Sequence, residues 1–99
     1  MYLVHVSLRP RSLGAVLSPS AAGAIARVCT GRSGFEHVSV HVDVRPHPVL
    51  GFYLRAASLV EAEAAADSLW RHAASFVPQL EEWELVRAEV PLLRPDPGP

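Results

Sequence analysis

The side chains able to do chemistry fall into three short stretches of this 99-residue chain: His5 with Ser7, then His37, Ser39, His41 and Asp43 in alternation, then Tyr53 with Arg55. Imidazole titrates near neutral pH, a phenol hydroxyl both donates and accepts hydrogen bonds, and the arginine fork grips a carboxylate or phosphate. Gathered in one pocket, they would transfer a proton beside a bound anionic group. The residues that carry this ligand-binding reading are His5, His41, Asp43, Tyr53 and Arg55. No catalytic constellation accompanies them, so no catalytic residue is assigned. The competing reading is a sheet face wetted by solvent or covered by a second copy. It carries more weight, because one-sided antiparallel sheets are ordinarily polar on the outside.

Spacing argues against a metal. On a strand, His37 and His41 lie roughly 13 Å apart, too far to share one ion. His41 and Asp43, at roughly 7 Å, are close enough, but His5 would have to reach roughly 9–10 Å across an intervening strand. No metal and no cofactor are assigned. The single cysteine, Cys29, excludes an internal disulfide and a cysteine zinc site. It falls on the apolar stripe of a short helix and reads as a small hydrophobe, not a nucleophile. Gly31-Arg32-Ser33-Gly34 is too short for a phosphate-binding loop and lacks its lysine. Gly51-Phe52-Tyr53 has a faint likeness to an RNA-recognition strand, but parity sends Phe52 to the core. With no lysine and a net charge of −1, phosphate neutralisation is underprovided, and no nucleic-acid partner is expected.

At 49% hydrophobic and 19% charged, the chain fits one small folded domain and not a disordered segment. No apolar run nears the roughly 18 residues of a membrane span, so no membrane partner is expected. Met1-Tyr2-Leu3-Val4-His5-Val6 lacks a basic segment ahead of a long apolar one. With one thiol and no export pattern, the cytoplasm is the expected compartment. Residues 1–57 carry six arginines against Glu36 and Asp43, a balance of +4; residues 58–91 carry seven acids against Arg71 and Arg87, a balance of −5. Such polarity orients a partner or a head-to-tail contact, unless it simply marks solvated acidic faces.

The elements that must position these groups follow from periodicity. Residues 2–9 alternate as a strand, with His5 and Ser7 opposite Val4, Val6 and Leu8. Ser18-Pro19 reads as a helix start whose thin apolar stripe is Ala21, Ala22, Ile25, Val28 and Cys29, with Gly31 as the left-handed stop. Residues 36–45 set Val38, Val40, Val42 and Val44 against the polar series, a strand with one wet face. Pro46-His47-Pro48 reads as the turn, and residues 49–55 return with Leu50, Phe52 and Leu54 inward. Ser58 and Glu61 form a capping box. The helix behind it, ended by Pro78, presents Leu59, Ala62, Ala66, Leu69, Ala73 and Phe76 to the sheet, leaving Trp70 and His72 off the stripe. A last strand, 82–90, has its apolar residues out of phase unless a bulge near Leu85-Val86 brings both sets to one face.

The order β-α-β-β-α-β resembles the ferredoxin-like split unit, an α+β fold with a four-stranded antiparallel sheet in the order 4-1-3-2 and two helices on one face. The resemblance covers residues 2–91 at the level of pattern. The chain also resembles small proteins that pair sheet to sheet as dimeric α+β barrels, among them monooxygenases, cyclases and ligand sensors; no residue role of theirs transfers to it. The expected organisation is one domain, residues 1–92, followed by a disordered proline-rich tail, 93–99. With Pro46-His47-Pro48 as the loop, Arg45 would face Val49, Asp43 would face Gly51, His41 would face Tyr53 and Ser39 would face Arg55. Function then divides two ways. The preferred reading, leaning away from an enzyme, is a non-enzymatic binding or accessory domain acting as a homodimer or on a partner protein. The alternative is a barrel enzyme or small-ligand binder of secondary metabolism with its site on the polar face.

Overall fold

Val4, Val6 and Leu8 have no solvent-exposed surface, while the residues between them keep some. The first strand, β1 (Tyr2–Pro10), thus buries the side its alternation marks. The computed structural model describes residues 1–32, 34–43 and 47–91; the tail at 93–99 and the pairing of Arg45 lie outside them. After β1 come α1 (Ala21–Cys29), β2 (Phe35–His41), β3 (Val49–Leu54), α2 (Leu59–Phe76), a 3-10 turn (Pro78–Glu82) and β4 (Trp83–Glu89). The strands form one antiparallel sheet in the order β2-β3-β1-β4. This is the ferredoxin-like α+β topology. The sheet is open, with β2 and β4 as its two edges, so the expected likeness to an α+β barrel is overturned: four strands in this order leave both edges apart, with no pairing to close them.

Both helices pack over Val4, Val6, Leu50, Phe52 and Leu54 in one core cluster. The short α1 buries Ala21, Ile25 and Cys29, one side chain per turn. It begins two residues after the expected start, because Ser18 and Pro19 spend their carbonyls on a turn that accepts from the amides of Ala21 and Ala22. Gly31 adopts φ +84, the left-handed stop its sequence position implies. In α2, the Ser58 hydroxyl accepts from the Glu61 amide, and the Glu61 carboxylate accepts from the amide of Ala57.

Four of the six expected stripe residues of α2, Ala62, Ala66, Leu69 and Ala73, are buried, but its two end residues are not, and a flanking residue joins the buried four. Trp70 is buried at 5% exposure beside Ala66, Leu69 and Ala73, whereas Phe76 is 64% exposed and Leu59 43%. Alanine every turn lets the helix sit close to the sheet, and the indole is the only large side chain available to fill the flank. In β4 the register against β1 jumps from Ser7↔Arg87 to Leu8↔Leu85, which makes Val86 the extra residue of a bulge. Trp83, Leu85 and Ala88 join the core cluster on that account, and Val86 is 46% exposed.

Candidate functional site

The sheet face away from the helices holds the polar series. β1 contributes His5 and Ser7, β2 contributes His37, Ser39 and His41, and β3 contributes Gly51 and Tyr53. The register that joins them differs from the one the turn residues suggest. His37 pairs with Tyr53, Ser39 with Gly51 and His41 with Val49. From Val49 to Tyr53, each β3 residue therefore meets a β2 residue four positions earlier than expected. Four is even, so every side chain keeps its face while every neighbour changes. Pro48 already belongs to the β1–β3 ladder, its carbonyl accepting from the Leu8 amide of β1 at 3.1 Å. Pro48 thus leads into β3 alongside β1 instead of closing a tight apex, and β2 ends at His41.

His37 and Tyr53 lie with ring centroids 5.7 Å apart and planes tilted by 43°. Next along the face, the Ser39 hydroxyl and His41 Nε2 are 2.9 Å apart. That pair lies over Gly51. A Cβ on Gly51 would stand 2.8 Å from Ser39 Oγ, 3.3 Å from Leu3 Cδ1 and 3.5 Å from His41 Nε2. The missing side chain is what lets the serine and imidazole lean across β3 toward His5, which sits opposite Gly51 in β1. Burial, first, and the His41 imidazole, second, hold His5 below the usual histidine range, against the pull of Glu89.

Glu36 is the extra residue where the β2–β3 register shifts, and its carboxylate pairs with Arg55 just beyond β3. Together with Met1, His37, Ser39, His41 and Tyr53 it lines an open depression of about 460 Å³. Asp43 stands exposed in a bend past the end of β2, away from Tyr53's register position. Of the expected binding residues, the structure brings His5 and His41 together, puts Tyr53 beside His37, gives Arg55 to Glu36 and leaves Asp43 apart. His37, Ser39 and Glu36 belong to the depression and were not among them. Alternation already marked His37 and Ser39 as face residues, but nothing in the sequence marked the bulge that turns Glu36 to that side.

The face is electrically balanced. Arg9 pairs with Glu84, Arg55 with Glu36 and Arg87 with Glu89, so these arginines and carboxylates neutralise one another along its rim. A second concavity, between α2 and β4, is lined by Asp67, Ser68, Arg71, Leu85 and Val86 among others. Its Asp67 is taken by Arg71, and the neighbouring Glu63 accepts from the Val90 amide, so no uncommitted charge faces a ligand there. Burial pushes the Cys29 thiol up to about 11, which makes it a poor nucleophile, as its place in the core implies. Among the described residues no group of three or more His, Cys, Asp or Glu is arranged to hold a metal ion. Among the described residues no helix is long and apolar enough to cross a membrane. No protein-family model matches the chain, and neither does any curated protein or solved structure.

Proposed function

We propose that this protein is a non-enzymatic binding module that works by self-association along the edge of its sheet, in the reducing cytoplasm where a lone thiol persists. The observation that carries the reading is β2. It is a seven-residue strand at the end of the sheet order whose last five residues, His37 to His41, alternate His or Ser with Val, and its outer side has no partner among the described residues. Such an edge presents a row of unpaired N–H and C=O groups. Natural edges are blunted with lysine, proline, inward charge or a bulge; β2 has the bulge at Glu36, which is paired with Arg55, but from His37 to His41 none of these interrupts the edge. A second copy of β2, related by a two-fold axis, satisfies that row by antiparallel pairing, the commonest symmetry of small homo-oligomers. The result is one continuous eight-stranded open sheet, helices on one side and two polar faces side by side on the other. A partner protein then binds the doubled face.

Sedimentation across a concentration series tests this. The expected result is a species of about twice the 10.7 kDa chain mass, with alternate amides of β2 gaining protection from hydrogen exchange only in that species. A chain that stays at 10.7 kDa up to millimolar concentration refutes the reading. His41→Lys, which guards the exposed end of the edge, shifts the equilibrium to the monomer while the circular dichroism spectrum is unchanged.

A further inference from the structure

Three histidines share the open sheet face, and among the described residues each carboxylate of that face is paired with an arginine, with Glu89, opposite His5 in β4, the one that also pulls on a histidine. His37 and His41 lie on β2 itself, and His5 faces His41 across Gly51. From β4, Glu84 is taken by Arg9 and Glu89 by Arg87; from the β2 bulge, Glu36 is taken by Arg55. Tyr53 of β3 lies beside His37 with the two rings tilted. Asp43 lies past the strand end in a bend. With the imidazoles neutral, the face sums to zero from three arginines and three glutamates; with all three protonated it carries +3 per copy.

Resting on the edge-pairing reading above, we propose that these histidines make self-association acid-sensitive: positive charge on them in mild acid separates the two copies. The geometry of a two-fold strand pair dictates the effect. Pairing centred on Val38 sets His37 of one copy opposite Ser39 of the other, and pairing centred on Ser39 sets His37 opposite His41. The second register sets the β2 imidazoles of the two copies directly opposite, roughly 5 Å apart, and the first sets them diagonally, roughly 7–8 Å apart; at both distances like charges oppose pairing. Ser39 cannot relieve this for His41 once protonated except as an acceptor, and His5 adds a third charge behind it. In the single chain, burial, first, and the His41 imidazole, second, already hold the proton affinity of His5 down.

The dissociation constant of the full chain, measured by sedimentation at pH 7.5 and pH 5.5, tests the proposal. The expected result is a roughly tenfold weakening at the lower pH, about 1.4 kcal/mol. In the triple variant His5→Gln, His37→Gln, His41→Gln, association persists and its pH dependence disappears. Equal association of the wild-type chain at both pH values overturns the acid sensitivity and leaves edge pairing standing. Persistence of the pH effect in the triple variant also overturns it, because the titrating groups then lie elsewhere. A monomer at both pH values removes edge pairing itself, and the inference with it.

Discussion

Gly34 is the residue with least freedom in the fold. Its φ is +73, and a Cβ there would stand 2.3 Å from the carbonyl oxygen of Arg55, whose amide donates to the Gly34 carbonyl at 2.9 Å. Gly34→Ala therefore combines left-handed strain with a backbone clash and is expected to cost roughly 2 kcal/mol or more in urea denaturation. An alanine variant as stable as wild type would mean that the start of β2 shifts without penalty. His5 makes the other prediction at this scale. Because folding holds its proton affinity down, the unfolded chain binds more protons as pH drops through about 6.5. Stability contributed by neutral His5 is thus full above that pH and lost progressively below it. Thermal melts between pH 7.5 and 5 should show a falling midpoint, and His5→Gln should flatten the slope. An unchanged slope would assign the acid loss to other groups.

At the scale of elements, α2 is the one whose phase matters most. Leu69 and Trp70 are both in the core cluster, and Phe76 projects outward with its ring 4.9 Å from that of His72. Leu69→Ala is expected to cost roughly 2–5 kcal/mol and Trp70→Ala roughly 3–5, since each leaves a cavity. Phe76→Ala should stay near the roughly 0.5 kcal/mol of a surface change. Chemical denaturation that ranks Phe76→Ala above either would place the helix a turn out of phase. His72 ties the helices together, its Nε2 3.0 Å from the Val28 carbonyl at the end of α1. That bond occupies a C-terminal carbonyl that α1 cannot satisfy internally.

For the whole molecule, one core cluster reaches from Val4 to Trp83 and includes residues of every strand and both helices. A single cluster of this kind unfolds as one unit in a domain this small. Tryptophan fluorescence reports on Trp70 and Trp83 from α2 and β4, and far-ultraviolet circular dichroism reports on all elements. The two transitions are expected to coincide in denaturant; separated midpoints would show that α2 and β4 come away from the rest. The uneven charge of the two halves does not accumulate on the open face, where acids and arginines meet in Arg9–Glu84, Arg55–Glu36 and Arg87–Glu89. Two of those three pairs join residues distant in sequence, so the balance is a property of the sheet and not of any segment.

Sequence alone determined what is periodic or local. Alternation at Val4, Val6 and Leu8 and at Leu50, Phe52 and Leu54 fixed which side of each strand is dry, and the β-α-β-β-α-β order restricted the topology to the observed sheet. Local chemistry fixed the Ser58 cap and the left-handed Gly31. The odd-then-even apolar residues of β4 even foretold the bulge at Val86. Tertiary structure alone decided the β2–β3 register, because a shift by an even number of residues preserves every face and parity cannot select among such shifts. It decided the limits of the α2 stripe as well. In an alanine-rich helix the apolar stripe is broad, and which flank is buried depends on the space the sheet offers to Trp70. The candidate site inherits both outcomes. Its membership on one face was legible from parity, whereas the pairing of His37 with Tyr53 and the meeting of His5 and His41 over Gly51 exist only once three strands lie side by side.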